Sequence, residues 1–231
     1  ASFVMKAAEE HDVLRAEDAY NKLQQKKIDL TFGDSGFARL KGGDAVNTPL
    51  LKSYGSEFEK TAGEIGASLD NNYQRTLFTK RAANAQLQLS EDIVKHVASQ
   101  STVYAKEVYD GTVGVETKAA TSNWNNPDAV ALSLKRIDAA VDSYAARNGL
   151  PDVMRDALKL KDASQIHSSV ITQAIASKDW EYAKTYYNAN KNSIDKTTAA
   201  QLEKGLYEAG QKQLTDNFNG VFVASRNDPA S

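Results

Sequence analysis

The chain has 231 residues, 41% of them apolar, with 28 basic and 30 acidic side chains for a net charge of −2. That balance provides no basic footprint for sequence-specific nucleic acid and no cationic stripe for a membrane surface. No stretch approaches the roughly 18 uninterrupted apolar residues of a membrane-spanning helix, and the absence of cysteine excludes disulfides, Cys–zinc sites and thiol nucleophiles.

Four prolines in a chain rich in Ala, Lys, Glu, Gln, Asp and Leu predict an all-α fold of long amphipathic helices. Ala1–Lys6 runs into a helical pattern without a cap, as expected of a segment of a longer polypeptide. Val13, Ala16, Tyr20, Leu23, Lys27 and Leu30 recur at spacings of three and four, a heptad seam. From this seam Val13, Tyr20, Leu23 and Leu30 form a candidate interaction surface. Gly33, Gly36, Gly42 and Gly43 predict an irregular loop over Phe32–Asn47. Thr48 followed by Pro49 predicts a cap and first turn. The helix it opens carries Leu51, Tyr54, Phe58, Ala62, Ile65 and Leu69 on one stripe.

Between Asn72 and Asp110 there is neither glycine nor proline, and Phe78, Ala82, Ala85, Leu89, Ile93 and Val97 keep helical spacing. This predicts the longest helix, close to forty residues or about 60 Å. A distortion is expected where Gly111, Gly114 and the alternation of Thr112–Thr117 follow. Asn126–Pro127 predicts the next start, with Val130, Leu134, Ile137, Val141 and Tyr144 along the helix. Asn148-Gly-Leu-Pro151 predicts its end. Shorter helices are expected at 152–161, 164–177, 179–192 and 196–217, the last capped by Asp195. The expected division is an extended helical region over 1–125, a compact bundle of helical hairpins over 126–224, and a flexible tail over 225–231.

Residues that could carry chemistry do not assemble into a motif. His11, His96 and His167 stand singly without metal-ligand spacing. Asp34-Ser35-Gly36 lacks the strand and helix of a nucleophile elbow, and Lys41-Gly-Gly-Asp44 lacks the spacing of a phosphate loop. Asn188, Asn190 and Asn192 match the start of a calcium loop, but Ser193 and Ala199 stand where glycine and a bidentate glutamate belong. Glu57, Glu64, Glu91, Glu107 and Glu116 lie among other charges and are expected on solvated faces. Ala176–Tyr187 followed by Ser193-Ile-Asp195 predicts the second helix and exit turn of a tetratricopeptide-like hairpin. In it Asp179 is the cap, Ala183 the small packing position, and Tyr186 or Tyr187 the groove filler.

Several stretches together resemble a family of tailed-bacteriophage virion proteins: Gly36-Phe-Ala-Arg-Leu-Lys-Gly-Gly-Asp-Ala-Val46, Pro49-Leu-Leu-Lys-Ser-Tyr-Gly55, Gln74-Arg-Thr-Leu-Phe-Thr-Lys-Arg-Ala82, Asp92-Ile-Val-Lys-His-Val-Ala98, Asn126-Pro-Asp-Ala-Val130 and Trp180-Glu-Tyr-Ala-Lys-Thr-Tyr-Tyr187. The resemblance covers roughly residues 10–207. It implies an internal virion (ejection) protein that assists genome delivery across the host envelope. Members often carry a peptidoglycan-cleaving transglycosylase domain elsewhere in the polypeptide, but no catalytic residue carries over to this segment. The expected function is therefore structural and non-enzymatic, without catalytic residues, cofactor or metal. Expected partners are copies of itself, other virion proteins and host envelope components, with residence in the virion and, during infection, in the host periplasm or envelope. Two other readings are a helical adaptor that binds a peptide at Trp180, Tyr182 and Tyr186, and a divergent peptidoglycan hydrolase.

Overall fold

In a computed structural model of the chain, residues 2–226 are described, and every regular element among them is a helix. The elements are α1 (Ser2–Phe32), a 3-10 turn (Phe37–Arg39), α2 (Gly42–Asn47), α3 (Leu50–Ala67), α4 (Asn72–Ser122) and α5 (Pro127–Asn148). They continue with α6 (Asp152–Ala176), α7 (Trp180–Asn190), a second 3-10 turn (Lys191–Ser193) and α8 (Lys196–Arg226). The all-α expectation is met. Of the tail expected at 225–231, residues 227–231 lie outside the described residues, and 225 and 226 belong to α8.

The chain divides into two compact units, Ala1–Glu107 and Val108–Ser231. The sequence pattern predicts the break near 125, where long seam-like helices give way to shorter ones. It falls instead inside the 51-residue α4, a helix about 75 Å long. Phe78, Ala85, Leu89 and Ile93 of α4 belong to the first core, whereas Tyr109, Val113 and Ala120 belong to the second. Core membership changes along an unbroken helix, so no breaker marks the change. α4 also stays α-helical through Gly111 and Gly114. Each costs about 1 kcal/mol relative to alanine, and burial of Tyr109, Val113 and Ala120 offsets that.

In the N-terminal unit, Ala19, Leu23 and Leu30 of α1 meet Leu50 and Phe58 of α3 and Phe78, Ala85, Leu89 and Ile93 of α4. Each helix contributes one stripe at three- and four-residue spacing, the condition for burying one face and solvating the other. Asn71 caps α4 by accepting the Gln74 amide at 2.9 Å. The fully buried Gln74 side chain donates to Asp12 at 2.7 Å and accepts from the Asp70 amide at 3.0 Å, tying α1 to this turn.

The segment expected as an irregular loop over Phe32–Asn47 is ordered by specific contacts. Phe37 is buried, its ring edge-on to Tyr54 and His96 at 5.6 Å. The Tyr54 hydroxyl donates to Ser35 O at 2.6 Å, and His96 Nε2 lies 2.9 Å from Leu40 O. Gly42, at φ +48°, opens α2 with its amide on Gln100 Oε1 at 2.8 Å. Thr48 does not cap α3. Its hydroxyl donates back to Asp44 O at 2.6 Å, and Pro49 stands at the cap position without a side-chain bond. The ending of α2 competes for the same hydroxyl and wins.

Gly36 is closed in by main-chain atoms of Thr31 and Phe32. A Cβ there would lie 2.5 Å from Thr31 O and 2.7 Å from Thr31 C, main-chain atoms that cannot swing aside. Gly36→Ala is expected to destabilise the chain by about 1–3 kcal/mol, the cost of overpacking a closed site. A urea titration followed by far-UV circular dichroism measures it, and an unchanged midpoint would refute the close approach.

The C-terminal unit holds two adjoining clusters. Tyr109, Val113, Ala120, Val130, Ile137, Val141, Ile166 and Val170 form one; Ile171, Ala174, Ala183, Tyr187, Ile194, Leu202 and Leu206 form the other. Trp124, Tyr182 and Tyr186 pack against both. Asn126 caps α5 by accepting the Ala129 amide at 3.2 Å, as expected. Its end is a Schellman turn: Gly149 takes φ +60° and the Leu150 amide donates to Ala145 O at 2.9 Å. Asp179 and Asp195 cap α7 and α8 by accepting the Tyr182 and Thr198 amides. The helices expected at 152–161 and 164–177 are one helix, α6, because nothing between them interrupts the hydrogen-bond ladder.

Candidate functional site

The C-terminal unit contains an unusually polar interior. On α6, Asp162, Ser164 and His167 are each no more than 2% exposed. Such groups are costly to bury without partners, and each has one. The Tyr109 hydroxyl donates to Asp162 Oδ2, while its ring stacks on Tyr144 with centroids 4.8 Å apart. Desolvation holds the Asp162 carboxyl above the usual carboxylate range, opposed by the Tyr109 hydrogen bond. Desolvation and the facing carboxylate also push the Tyr109 hydroxyl upward. Ser164 Oγ donates to Leu160 O at 2.6 Å and accepts the Asp195 amide at 2.8 Å, pinning the entry to α8.

His167 Nδ1 shares a 2.8 Å hydrogen bond with the Tyr186 hydroxyl. Burial pushes the imidazole down to about 4 and the Tyr186 hydroxyl up, so both are neutral at pH 7. These are acid–base residue types with shifted titration, which makes the belt the first place to look for chemistry. Its geometry is that of structural pairing. Tyr186 alone of these groups reaches the groove between α5 and α7, a cavity of about 310 Å³ lined by Pro127, Val130, Leu134 and Tyr182.

Trp180, Tyr182 and Tyr186, expected to share a peptide groove, do not share a surface. Tyr182 and Tyr186 line the α5–α7 groove, but their hydroxyls are taken by Trp124 O at 2.8 Å and by His167. Trp180 packs on α8, where its Nε1 donates to Leu206 O at 2.9 Å and its ring lies against Gly210. Ala183 and Tyr187 are buried together with Ile171, Ala174, Leu202 and Leu206.

The other nominated residues fall as follows. Leu23 and Leu30 are buried in the core of the N-terminal unit, Tyr20 packs against that core, and Val13 is 36% exposed. The seam expected as an interaction surface is thus mostly an internal one, since periodicity reports an apolar face but not what that face meets. Glu116, expected on a solvated face, is 6% exposed and bonded to Arg136 Nη1 at 3.2 Å. Glu57 is solvated and paired with Lys26 at 2.8 Å. Asn190 caps its own helix end by donating to Tyr186 O at 2.9 Å. His11 is exposed, beside Asp12. Among the described residues, no three His, Asp or Glu side chains gather as metal donors, and no helix is long and apolar enough to cross a membrane.

The last helix, expected to end at 217, is longer. α8 continues to Arg226 and carries Leu214, Phe218 and Val221 at 65%, 72% and 70% exposure. The signal was present as Tyr207, Gln211, Leu214, Phe218 and Val221 at spacings of four and three. No family model matches the chain, and neither does any curated protein or solved structure.

Proposed function

We propose that this chain is a structural segment of a tailed-phage virion protein of the internal, ejected kind, and that it acts by association rather than catalysis. The observation that carries the reading is how its side chains are used. The acid–base residues Asp162, His167, Tyr109 and Tyr186 are paired with one another inside the fold, whereas large apolar side chains stand in water along α8. An exposed apolar row of this kind marks a surface that meets something else. The cysteine-free chain and the separate cores of its two units suit passage through a narrow tail, because each core can open without breaking a covalent cross-link.

The test is mass spectrometry of purified virions of the phage that encodes the chain, before and after DNA release is triggered in vitro. Peptides of the chain in intact particles, depleted from emptied ones, are the expected result. A chain missing from particles would end the reading. Clearing of a peptidoglycan zymogram by the purified segment would end its non-enzymatic part.

A further inference from the structure

α8 presents two apolar faces rather than one. Leu202, Leu206 and Gly210 point into the C-terminal unit and are buried there. Tyr207, Gln211, Leu214, Phe218 and Val221 form a second row, turned about 100° from the first at about 100° per residue. Tyr207 is 68% exposed even where the opposite side of its own turn is buried. The second row is therefore not an extension of the core-facing stripe, and the unit's own interior does not call for it.

We infer that this row is the pairing surface for a second copy of the chain, joined antiparallel along α8. Four observations select that partner. The repeat is 4-3-4-3, the seam that fits the holes of another helix of the same kind. The row carries no charge, so identical copies meet without repulsion across it, and Gln211 is its single polar member, a device that sets register. Tyr207, Leu214, Phe218 and Val221, flanked by Phe222 beneath the Arg226 guanidinium, would remove on the order of 1,000 Å² from water if two copies contribute equally. That is the lower bound for a specific interface, reached only when both sides are apolar. A membrane surface fits less well, since Lys212 and Arg226 are the only cations from residue 211 to 226.

Direction follows from charge. Side by side and parallel, Glu203 of one helix would flank Glu208 of its partner at the edge of the seam. Antiparallel pairing separates them and sets Leu214 against Phe218, and Gln211 against Val221, of the second copy. The inference deepens the association reading given above and is independent of location in a virion.

Light scattering after size exclusion of the 231-residue chain, from 1 to about 100 µM, tests it; association on this scale falls in the micromolar range for an interface of such size. The expected result is a dimer that dissociates on dilution, with Leu214→Asp/Phe218→Lys monomeric at all concentrations and unchanged in helicity. Because both side chains stand in water, the variant retains its fold. In a chain free of cysteine, Gln211→Cys is expected not to form a disulfide dimer on oxidation. Its ready cross-linking would show parallel pairing and overturn the assignment. So would a wild-type monomer at 100 µM, a dimer that survives the double substitution, or Phe218-dependent sedimentation with anionic vesicles by a monomeric chain. A monomer found in purified virions would remove the pairing and leave the virion reading standing.

Discussion

Phe58→Ala is expected to melt the N-terminal unit while the C-terminal unit stays folded. Phe58 has no exposed surface and joins the same buried cluster as Leu23 and Leu30 of α1 and Phe78, Ala85 and Leu89 of α4. Many of the side chains around it are alanines and leucines on long helices, which cannot collapse into the space a ring leaves. Truncating a buried Phe costs about 3–5 kcal/mol, a large share of what a unit of about 100 residues possesses. The chain reports the outcome cleanly, because both tryptophans, Trp124 and Trp180, belong to the C-terminal unit. Far-UV helical signal should therefore fall by up to half while tryptophan emission keeps its native wavelength. Simultaneous loss of both signals would show that α4 couples the two cores into one cooperative block.

The second large effect is acid lability of the C-terminal unit through His167. Its folded-state pKa, held down to about 4 by burial, lies below the value of 6.5 for the free side chain. The unfolded chain therefore takes up the proton first as the pH falls. The stabilisation is complete above pH 6.5 and is lost as the pH drops toward 4, a change of about 3 kcal/mol for one buried imidazole. Asp162 works in the opposite sense. Its carboxyl is raised in the fold, so rising pH costs stability as the unfolded carboxylate ionises first. The His167 contribution is isolated by comparing His167→Gln with wild type in an Asp162→Asn background, in urea titrations followed by tryptophan emission at pH 7, 5.5 and 4.5. Glutamine keeps a hydrogen-bonding group for Tyr186 but does not titrate there, so its profile should be flat where that of the histidine chain falls. Equal slopes in the two would remove His167 as the source.

Much of the fold was legible locally. Asn126, Asp179 and Asp195 cap because a short polar side chain can reach an unpaired amide two or three residues on, and Gly149 ends α5 because it accepts a left-handed backbone. The end of α6, expected at 177, falls at Ala176. There Lys178 adopts φ +62° with the Asp179 amide on Ala174 O, a helix stop made without glycine. Thr48 misled because one hydroxyl had two backbone carbonyl and amide partners within reach, and only the spatial arrangement chose between them.

From the sequence alone came the helical class, the longest helix, most caps and the apolar stripes, all of which depend on neighbours within about four residues. Tertiary structure decided what each stripe faces. It turned the seam of Tyr20, Leu23 and Leu30 inward, buried Glu116 beside Arg136, moved the division between units into α4, and left Leu214, Phe218 and Val221 of α8 in water. The reason is geometric: a repeat of 3.6 residues fixes which side chains share a face, but burial of that face depends on segments tens of residues away.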